Sequence, residues 1–305
     1  MLQVLNILGG TEMIKVLKRS FFLFLMGGTL FLQGCSFFTN DQSKTTLERV
    51  QEKGAVTVGF ANEQPYAYQN AEGKLTGSSV EIAKRILENL GITEVNGVLT
   101  EFASLIPGLQ AERFDLVTAG MFITPDRASA DYVEFANPEY TIGEAIAVEQ
   151  GNPLKLFSYE DIAANEQAVI AVPSGTVEYD YLLEVGVPEN RVTTVPDMPS
   201  ALAALQAGRV DAITATGPSL QSILDTAQDE GIERVEDFKQ PVIDGEEAIN
   251  YGATVFRESD QEFITAFNEE LEKLKESGEL LEIIQEFGFT EQDLPGDATV
   301  EDAIR

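Results

Sequence analysis

The feature that most constrains the fold is a regular alternation of strand-like and helix-like segments that begins at Leu47. The run Ala55–Phe60 is apolar and rich in β-branched residues, which predicts a strand. Residues 79–89 follow it with apolar side chains at helical spacing and a glycine just beyond, which predicts a helix and its C-terminal end. Strands that alternate with helices favour an α/β architecture built on parallel strands.

The alternation continues through two similar units. Further predicted strands are 97–102, 116–119 and 145–148, then 169–172, Val192–Val195 and 211–216, with a short helix at 105–111. Residues 261–287 form a long amphipathic helical region, which is expected to pack on one lobe. We place two crossings between the units, at 149–153 and 240–247, so that the second unit is an insertion between the early and late parts of the first.

The first 46 residues have the composition of an export signal and a tether. Basic residues precede an apolar stretch at 21–32, which is too short for a comfortable transmembrane helix. The tetrapeptide that ends at Cys35 resembles a lipobox, so residues 1–35 are expected to be a cleaved lipoprotein signal, with Cys35 lipidated, and 36–46 a polar tether. The alternative is a buried or free cysteine in an uncleaved anchor.

Composition removes several classes of function. The chain has no histidine and one cysteine, which excludes histidine acid/base chemistry, a Cys–His nucleophile, a His or Cys metal cage and an internal disulfide. We therefore predict no catalytic residues, no metal and no cofactor. A formal net charge of −31 repels nucleic acid, which we exclude as a partner. The acidic surface fits either simple solubility or hydration in concentrated salt.

Three loops beyond predicted strands hold candidate ligand residues. In open α/β sheets, ligands bind outside the carboxyl ends of the strands. After the first strand, Glu63 and Tyr66 supply a negative charge and an aromatic face, the pair that suits an organic cation. The alternative is a solvated glutamate beside aromatics that cover the core.

The other two loops suit an anion. Arg127 follows the strand at 116–119 and presents a planar fork for a carboxylate, while Phe122 adds an aromatic wall; the alternative is a surface ion pair. Thr176 lies between a strand and a helix, where free amides and the helix dipole favour negative charge. There the alternative is an ordinary helix cap, and both interpretations can hold together.

Several ordered motifs resemble one family. They are the run 55–68, the segment 105–115, the loop 124–127 with Asp131, Phe135, 137–138 and Tyr140, and the motif 208–212. Over 47–289 they resemble the family 3 extracellular solute-binding proteins, which are receptors of ABC importers. The resemblance implies an α/β, type II periplasmic-binding-protein-like fold with two lobes joined by a two-crossing hinge. Lobe 1 would be 47–148 and 247–305, and lobe 2 would be 149–246.

The resemblance also implies partners and a location. An ABC permease and ATPase would receive the solute, a lipid anchor would hold the chain at the membrane, and the receptor would be a monomer. It would be exported, and periplasmic or at the cell surface. We expect a receptor and not an enzyme, although a few relatives on this fold are dehydratases or lytic enzymes.

Within the family, the loops are similar to the ectoine and hydroxyectoine receptors. Ectoine is a cyclic zwitterion with a carboxylate and a delocalised amidinium. Carried over, Glu63 would pair with the amidinium, Tyr66, Phe102 and Phe122 would surround it, and Arg127 with Thr176 would take the carboxylate. Phe102 also has a plain core interpretation.

The alternative ligand is a polar amino acid. Receptors for these normally hold the ligand's ammonium with an aspartate at the place where this chain has Thr216. A neutral hydroxyl is a poor substitute for that carboxylate in a desolvated cleft, so the sequence favours ectoine.

Overall fold

The fold is known from a computed structural model that describes residues 44–243 and 245–304. From Thr45 onward these residues form one compact unit. The predicted signal segment 1–35, its Cys35 and residues 36–43 of the predicted tether lie outside the described residues. Among the helices of the described part, none is both long enough and apolar enough to cross a membrane.

Within the described residues, strands and helices alternate as expected. The strands are β1 (Ala55–Phe60), β2 (Tyr68–Gln69), β3 (Leu75–Thr76), β4 (Glu94–Leu99), β5 (Leu116–Val117), β6 (Val133–Phe135), β7 (Tyr140–Ile142), β8 (Glu144–Glu149), β9 (Ile170–Pro173), β10 (Val192–Val195), β11 (Ala212–Thr216), β12 (Ile232–Arg234), β13 (Val242–Ile243), β14 (Glu246–Glu247), β15 (Asn250–Gly252) and β16 (Val255–Arg257). The helices are α1 (Thr46–Lys53), α2 (Ser78–Asn89), α3 (Leu105–Gln110), α4 (Pro125–Ala128), α5 (Tyr159–Ala164), α6 (Val177–Glu184), α7 (Met198–Gln206), α8 (Gly217–Ala227), α9 (Gln261–Ser277), α10 (Glu279–Gln285) and α11 (Val300–Ala303).

The first sheet has five strands in the order β4-β1-β5-β16-β6. Strand β1 pairs in parallel with β4 and β5, while β16 runs antiparallel to β5 and β6. Strand β4 spans 94–99, whereas the sequence predicted 97–102. The difference arises because pairing with β1 sets the register, and this edge strand is largely exposed, so its apolar pattern is weak.

The second sheet repeats this plan in the order β10-β9-β11-β8-β12. Strands β9, β10 and β11 are parallel, and β8 is antiparallel to β11 and β12. The predicted division placed residues 145–148 in lobe 1, but β8 belongs to the second sheet. Its first five residues are buried there by pairing partners on both sides, which a single strand's sequence does not reveal.

The chain therefore passes between the sheets before β8, and not at 149–153 as predicted. Strand β7 ends at Ile142 and β8 begins at Glu144. On the way back, β15 pairs antiparallel with β7, so the outgoing and returning segments lie side by side. The side chain of Gln240 accepts a hydrogen bond from the amide of Glu144 at 2.7 Å and donates one to its carbonyl at 2.9 Å. These bonds tie the returning segment to the outgoing one.

Helices cover each sheet, and apolar side chains of the helices pack against those of the strands. Helices α2, α9 and α10 pack on the first sheet, where Phe263, Phe267 and Leu271 of α9 are buried as the amphipathic pattern predicted. The predicted helical region 261–287 is interrupted at Gly278, which adopts φ 81° and ends α9. A left-handed glycine is a common helix end, because it carries no Cβ to clash.

Candidate functional site

The six residues predicted to bind a ligand all line one cavity between the two sheets. They are Glu63, Tyr66, Phe102, Phe122, Arg127 and Thr176, and the lining also includes Gly120, Val177, Glu178 and Thr216. Glu63, Phe102 and Arg127 follow β1, β4 and β5 of the first sheet. Thr176 and Thr216 lie at the ends of β9 and β11 of the second sheet. The carboxyl ends of the strands in the two sheets thus face each other. In open α/β sheets, ligands bind beyond these strand ends.

Glu63 is held in a tight turn directly after β1. Its amide donates to the carbonyl of Ala67 at 2.9 Å, and the amide of Ala67 donates back at 3.0 Å. Burial raises the pKa of Glu63 to about 7, the hydrogen bond from Ser219 lowers it, and the nearby charge of Glu178 raises it. The carboxyl group therefore titrates near neutral pH.

Tyr66 joins the two lobes through a buried hydrogen bond. Its hydroxyl donates to the Oγ1 of Thr216 at 2.7 Å, so Thr216 contacts a lobe 1 residue directly. The ring stacks on Tyr140 with centroids 5.4 Å apart. Gly120 has φ 70° and passes so close beneath the ring that a Cβ there would lie 2.5 Å from the Cγ of Tyr66. A side chain at position 120 is incompatible with this ring position.

Arg127 reaches backbone carbonyls of both lobes. Its Nη1 donates to Phe122 at 2.8 Å, and its Nη2 donates to Gly175 at 2.8 Å. The guanidinium carbon lies 5.7 Å from the centroid of the Phe102 ring, within cation–π distance. Burial lowers the pKa of Arg127, yet the group stays protonated because a guanidinium does not lose its proton in proteins. Rotation of the Arg127 side chain would direct Nη1 and Nη2 towards the carboxylate of a ligand.

Thr176 is the residue before α6, but its hydroxyl does not cap that helix. It donates instead to the carbonyl of Pro173 at 3.1 Å. The interpretation of Thr176 as an ordinary side-chain cap is therefore wrong in this structure. The first amides of α6 have no side-chain cap from Thr176, which suits an anion at this helix end.

Phe102 combines both predicted interpretations. It begins a short 3₁₀ turn, is half-buried, and packs against the core cluster that includes Leu105 and Leu109. It also lines the cavity and lies beneath Arg127.

Sequence reasoning missed two carboxyl groups on the lobe 2 side. Glu178 lines the cavity and is only 4% exposed. Glu144 is 2% exposed, and its pKa is raised by burial and by the charge of Glu178. The helix dipole already favours an acidic residue in the first turn of a helix. The sequence therefore offered no reason to assign Glu178 to the ligand site. The signal for Glu144 was a glutamate at the start of an otherwise apolar, buried strand.

The cavity is small. Its volume is about 20 Å³, which admits a water molecule and no organic solute. A neighbouring cavity of about 210 Å³ shares Glu63 and Phe102 with it. A hollow of about 670 Å³ lies on the outer face near α2, but there Lys84 and Arg85 already pair with Glu81 and Glu279. Entry of a solute between Glu63 and Arg127 therefore requires the lobes to separate.

Comparison with known proteins identifies relatives that bind small solutes. Residues 56–291 match the family described as bacterial extracellular solute-binding proteins, family 3. A probable amino-acid ABC transporter periplasmic-binding protein, y4tE of Sinorhizobium fredii, is 35% identical over 246 residues, which is 80% of each chain. The L-cystine-binding protein TcyJ of Escherichia coli is 29% identical over 55% of this chain and 60% of its own length.

Solved structures agree with this assignment. The crystal structure of EhuB in complex with hydroxyectoine is 38% identical and superposes with a TM-score of 0.75, covering 80% of this chain and 92% of EhuB. The ancestral amino acid-binding protein AncCDT-1, a precursor of cyclohexadienyl dehydratase, is 26% identical with a TM-score of 0.69, covering 80% of this chain and 99% of its own. The family match spans most of the sequence and both sheets that form the cavity. The chain therefore belongs to the bacterial extracellular solute-binding proteins, family 3, and has their two-lobe type II fold.

Proposed function

We propose that this solute-binding protein of an ABC importer captures ectoine or hydroxyectoine between its lobes. Arg127 and Thr176 bind the carboxylate, and Glu63 pairs with the amidinium. Tyr66, Phe102 and Phe122 surround the ring. The observation that carries the proposal is that all six residues line one cavity between the facing sheets. The similarity to EhuB with bound hydroxyectoine supports the choice of ligand.

The physical argument rests on charge and hydration. A delocalised amidinium is weakly hydrated, so it loses little on entering an aromatic cage, and each cation–π contact contributes about 0.5 to 2 kcal/mol. A carboxylate gains two parallel charge-assisted bonds from a guanidinium fork. With Arg127 and Glu63 both in the cavity wall, a zwitterion matches both charges.

Calorimetric titration tests the ligand. Ectoine, hydroxyectoine, glycine betaine, glutamine, arginine and cystine are titrated into the protein, and saturable heat is expected with ectoine and hydroxyectoine. Arg127→Lys removes the fork and is expected to weaken ectoine binding by about tenfold or more, equivalent to about 1.4 kcal/mol. Arg209→Lys, at an exposed arginine, is the matched control. No heat with ectoine, together with binding of an amino acid, contradicts the proposal.

The second candidate is a receptor for a polar or cationic amino acid. Glu178, which is buried in the cavity wall, favours it because it places a second carboxylate near Glu63. That carboxylate offsets the missing aspartate at Thr216. The same titration distinguishes the two, and Glu63→Gln should then abolish binding of ligands with a free amino group.

The remaining expectations extend this proposal. We regard the chain as a monomeric receptor and not an enzyme, anchored by a lipid on Cys35 and delivering its solute to a permease and its ATPase. Cys35→Ser is expected to release the protein from the membrane fraction and to abolish incorporation of labelled palmitate. Retention of label in the variant would contradict lipidation at Cys35.

We place the hinge at the paired segments β7 and β15, which lie side by side between the sheets. Lobe 1 then carries the first sheet with helices α9 and α10, and lobe 2 carries the second sheet. Small-angle X-ray scattering is expected to show a smaller radius of gyration when ectoine is added. An unchanged scattering curve at saturating ligand contradicts closure about this hinge.

A further inference from the structure

Two buried carboxyl groups lie on the lobe 2 side of the ligand cavity, and one of them, that of Glu178, lines it. Glu144 begins β8 and is 2% exposed, and Glu178 lies in the first turn of α6 and is 4% exposed. Glu144 pairs in register with Thr216, which lines the same cavity as Glu178, and the charge of Glu178 raises the pKa of Glu144. Among the described residues, neither Oε2 atom has a hydrogen-bond donor. A pair of carboxylates offers only acceptors, so a hydrogen bond between them requires a proton.

The surroundings do not neutralise two charges. The titratable groups that interact with this pair are Glu63, Tyr66, Tyr159, Tyr181 and Arg127. Arg127 is the one cation in that set, and Glu63 adds a further negative charge. Burial raises the pKa of Glu144 well above its ordinary value, and the charge of Glu178 raises it further. Two carboxyl groups in contact, away from water, are expected to share one proton.

The hydrogen bonds of Glu144 leave one of its oxygens available to carry a proton. The Nδ2 of Asn250 donates to the Oε1 of Glu144 at 2.8 Å, and the hydroxyl of Tyr181 donates to the Oδ1 of Asn250 at 2.5 Å. These bonds fix one oxygen of Glu144 as an acceptor and leave the other free to carry the proton. Glu178 lies in the cavity wall, close enough to Arg127 for its charge to raise the pKa of that guanidinium.

We propose that Glu144 is a positioning residue of the ligand site, whose protonated carboxyl group donates a hydrogen bond to Glu178 and so holds the Glu178 carboxyl group in the cavity wall. The positioning role rests on the proposed function. It gives the site a second carboxyl group near Glu63, the residue proposed to pair with the amidinium. It also connects the site to the hinge, because Asn250 belongs to β15.

Infrared spectroscopy tests the shared proton without any ligand. The spectrum is recorded at a pH well above about 7, the pKa to which burial raises both Glu63 and Glu139, so that those two groups are ionised. The wild-type protein is expected to retain the C=O stretch of a protonated carboxyl group. Glu144→Gln should remove that band, and Glu139→Gln, at a buried glutamate outside the cavity, should not. Absence of the band in the wild type, or its persistence in Glu144→Gln, overturns the proposal.

Binding measurements test the positioning role. The amide of Glu144→Gln can still donate to Glu178, so its Kd for ectoine should stay within about twofold of the wild type at neutral pH. Glu144→Leu cannot donate and should weaken binding by about tenfold. In the wild type the affinity should fall again at alkaline pH as the shared proton is lost, whereas Glu144→Gln should not show this fall.

The outcomes separate the two proposals. Equal weakening in Glu144→Gln and Glu144→Leu overturns the positioning role, as does an alkaline fall that persists in Glu144→Gln. If Glu144→Leu does not fold, the alkaline comparison and the infrared band still decide. If ectoine does not bind while the infrared band behaves as expected, the proposed ligand is wrong, and the affinity comparison is repeated with the amino acid that binds.

Discussion

At the scale of single residues, Glu63 connects ligand binding to pH. Its pKa is raised to about 7, chiefly because burial disfavours the charged form. The folded protein then holds this proton more tightly than the unfolded chain. Glu63 therefore contributes stability below its unfolded pKa, near 4.5, and that contribution is lost as the pH rises towards 7. Ligand binding has the opposite dependence, since a cation pairs only with the ionised form.

We therefore predict that affinity for ectoine rises as the pH passes through about 7. Between about pH 6 and about pH 8 the ionised fraction of such a group increases about tenfold, and Kd should fall by a similar factor. Titration calorimetry across this range measures it. Glu63→Gln should flatten the profile, whereas Glu139→Gln, whose carboxyl pKa is also raised to about 7 but which lies outside the cavity, should leave it intact. A flat wild-type profile contradicts the role of Glu63.

Tyr66→Phe is expected to weaken closure without unfolding the protein. The change deletes the hydroxyl that donates to Thr216 and leaves the ring stacked on Tyr140. A buried hydrogen bond contributes about 0.5 to 1.5 kcal/mol, so Kd should rise about twofold to tenfold. Tyr132→Phe, at a tyrosine that is 38% exposed, is the control. Unchanged affinity in Tyr66→Phe would show that the bond between the lobes does not contribute to binding.

At the scale of elements, two glycines in left-handed conformations perform different tasks. Gly278 separates α9 from α10, and a Cβ added to it would meet nothing within 4 Å. A Cβ added to Gly120, after β5, would meet the ring of Tyr66. Gly278 is therefore needed only for its left-handed backbone conformation. Gly120 is needed for its backbone conformation and also for the space that the ring of Tyr66 occupies.

The matched pair Gly278→Ala and Gly120→Ala separates these effects. Gly278→Ala should cost about 1 kcal/mol through its left-handed backbone, lowering Tm by about 2 to 4 °C without changing Kd. Gly120→Ala adds overpacking of about 1 to 3 kcal/mol against a buried ring, so Tm should fall further and ectoine binding should weaken. Thermal unfolding and calorimetry measure both. Equal effects of the two substitutions contradict the contact with Tyr66.

At the scale of the whole molecule, charge is the dominant feature. With 51 acidic and 20 basic residues the formal net charge is −31, and such a chain repels itself in the compact state. Salt shortens the Debye length from about 30 Å at 0.01 M to about 3 Å at 1 M, which removes most of this repulsion. Ligand affinity should depend much less on salt than stability does, because a zwitterion brings no net charge to the cavity.

We expect the unfolding temperature to rise steadily from about 0.01 M to about 1 M NaCl, while Kd for ectoine changes by less than about threefold. Differential scanning calorimetry and titration calorimetry measure the two quantities. A parallel series in KCl separates screening from an effect specific to sodium. A Tm that stays constant or falls with salt contradicts the screening argument.

The sequence alone determined the architecture and the position of the candidate residues that follow strands. Apolar periodicity is local, so β1, α2 and the long region divided into α9 and α10 were predictable to within a few residues. The position of Glu63, Arg127 and Thr176 was predictable for the same reason, because each follows a strand whose carboxyl end must face the cleft.

Tertiary structure decided what depends on pairing between distant segments. Strand β8 has the same buried apolar pattern whichever sheet it joins, and only its pairing with β11 and β12 places it in the second sheet. The bond from Tyr66 to Thr216, and the effect of the Glu178 charge on Glu144, join residues far apart in the chain. Burial and these contacts set the protonation of the site, and neither is encoded in any local run of residues.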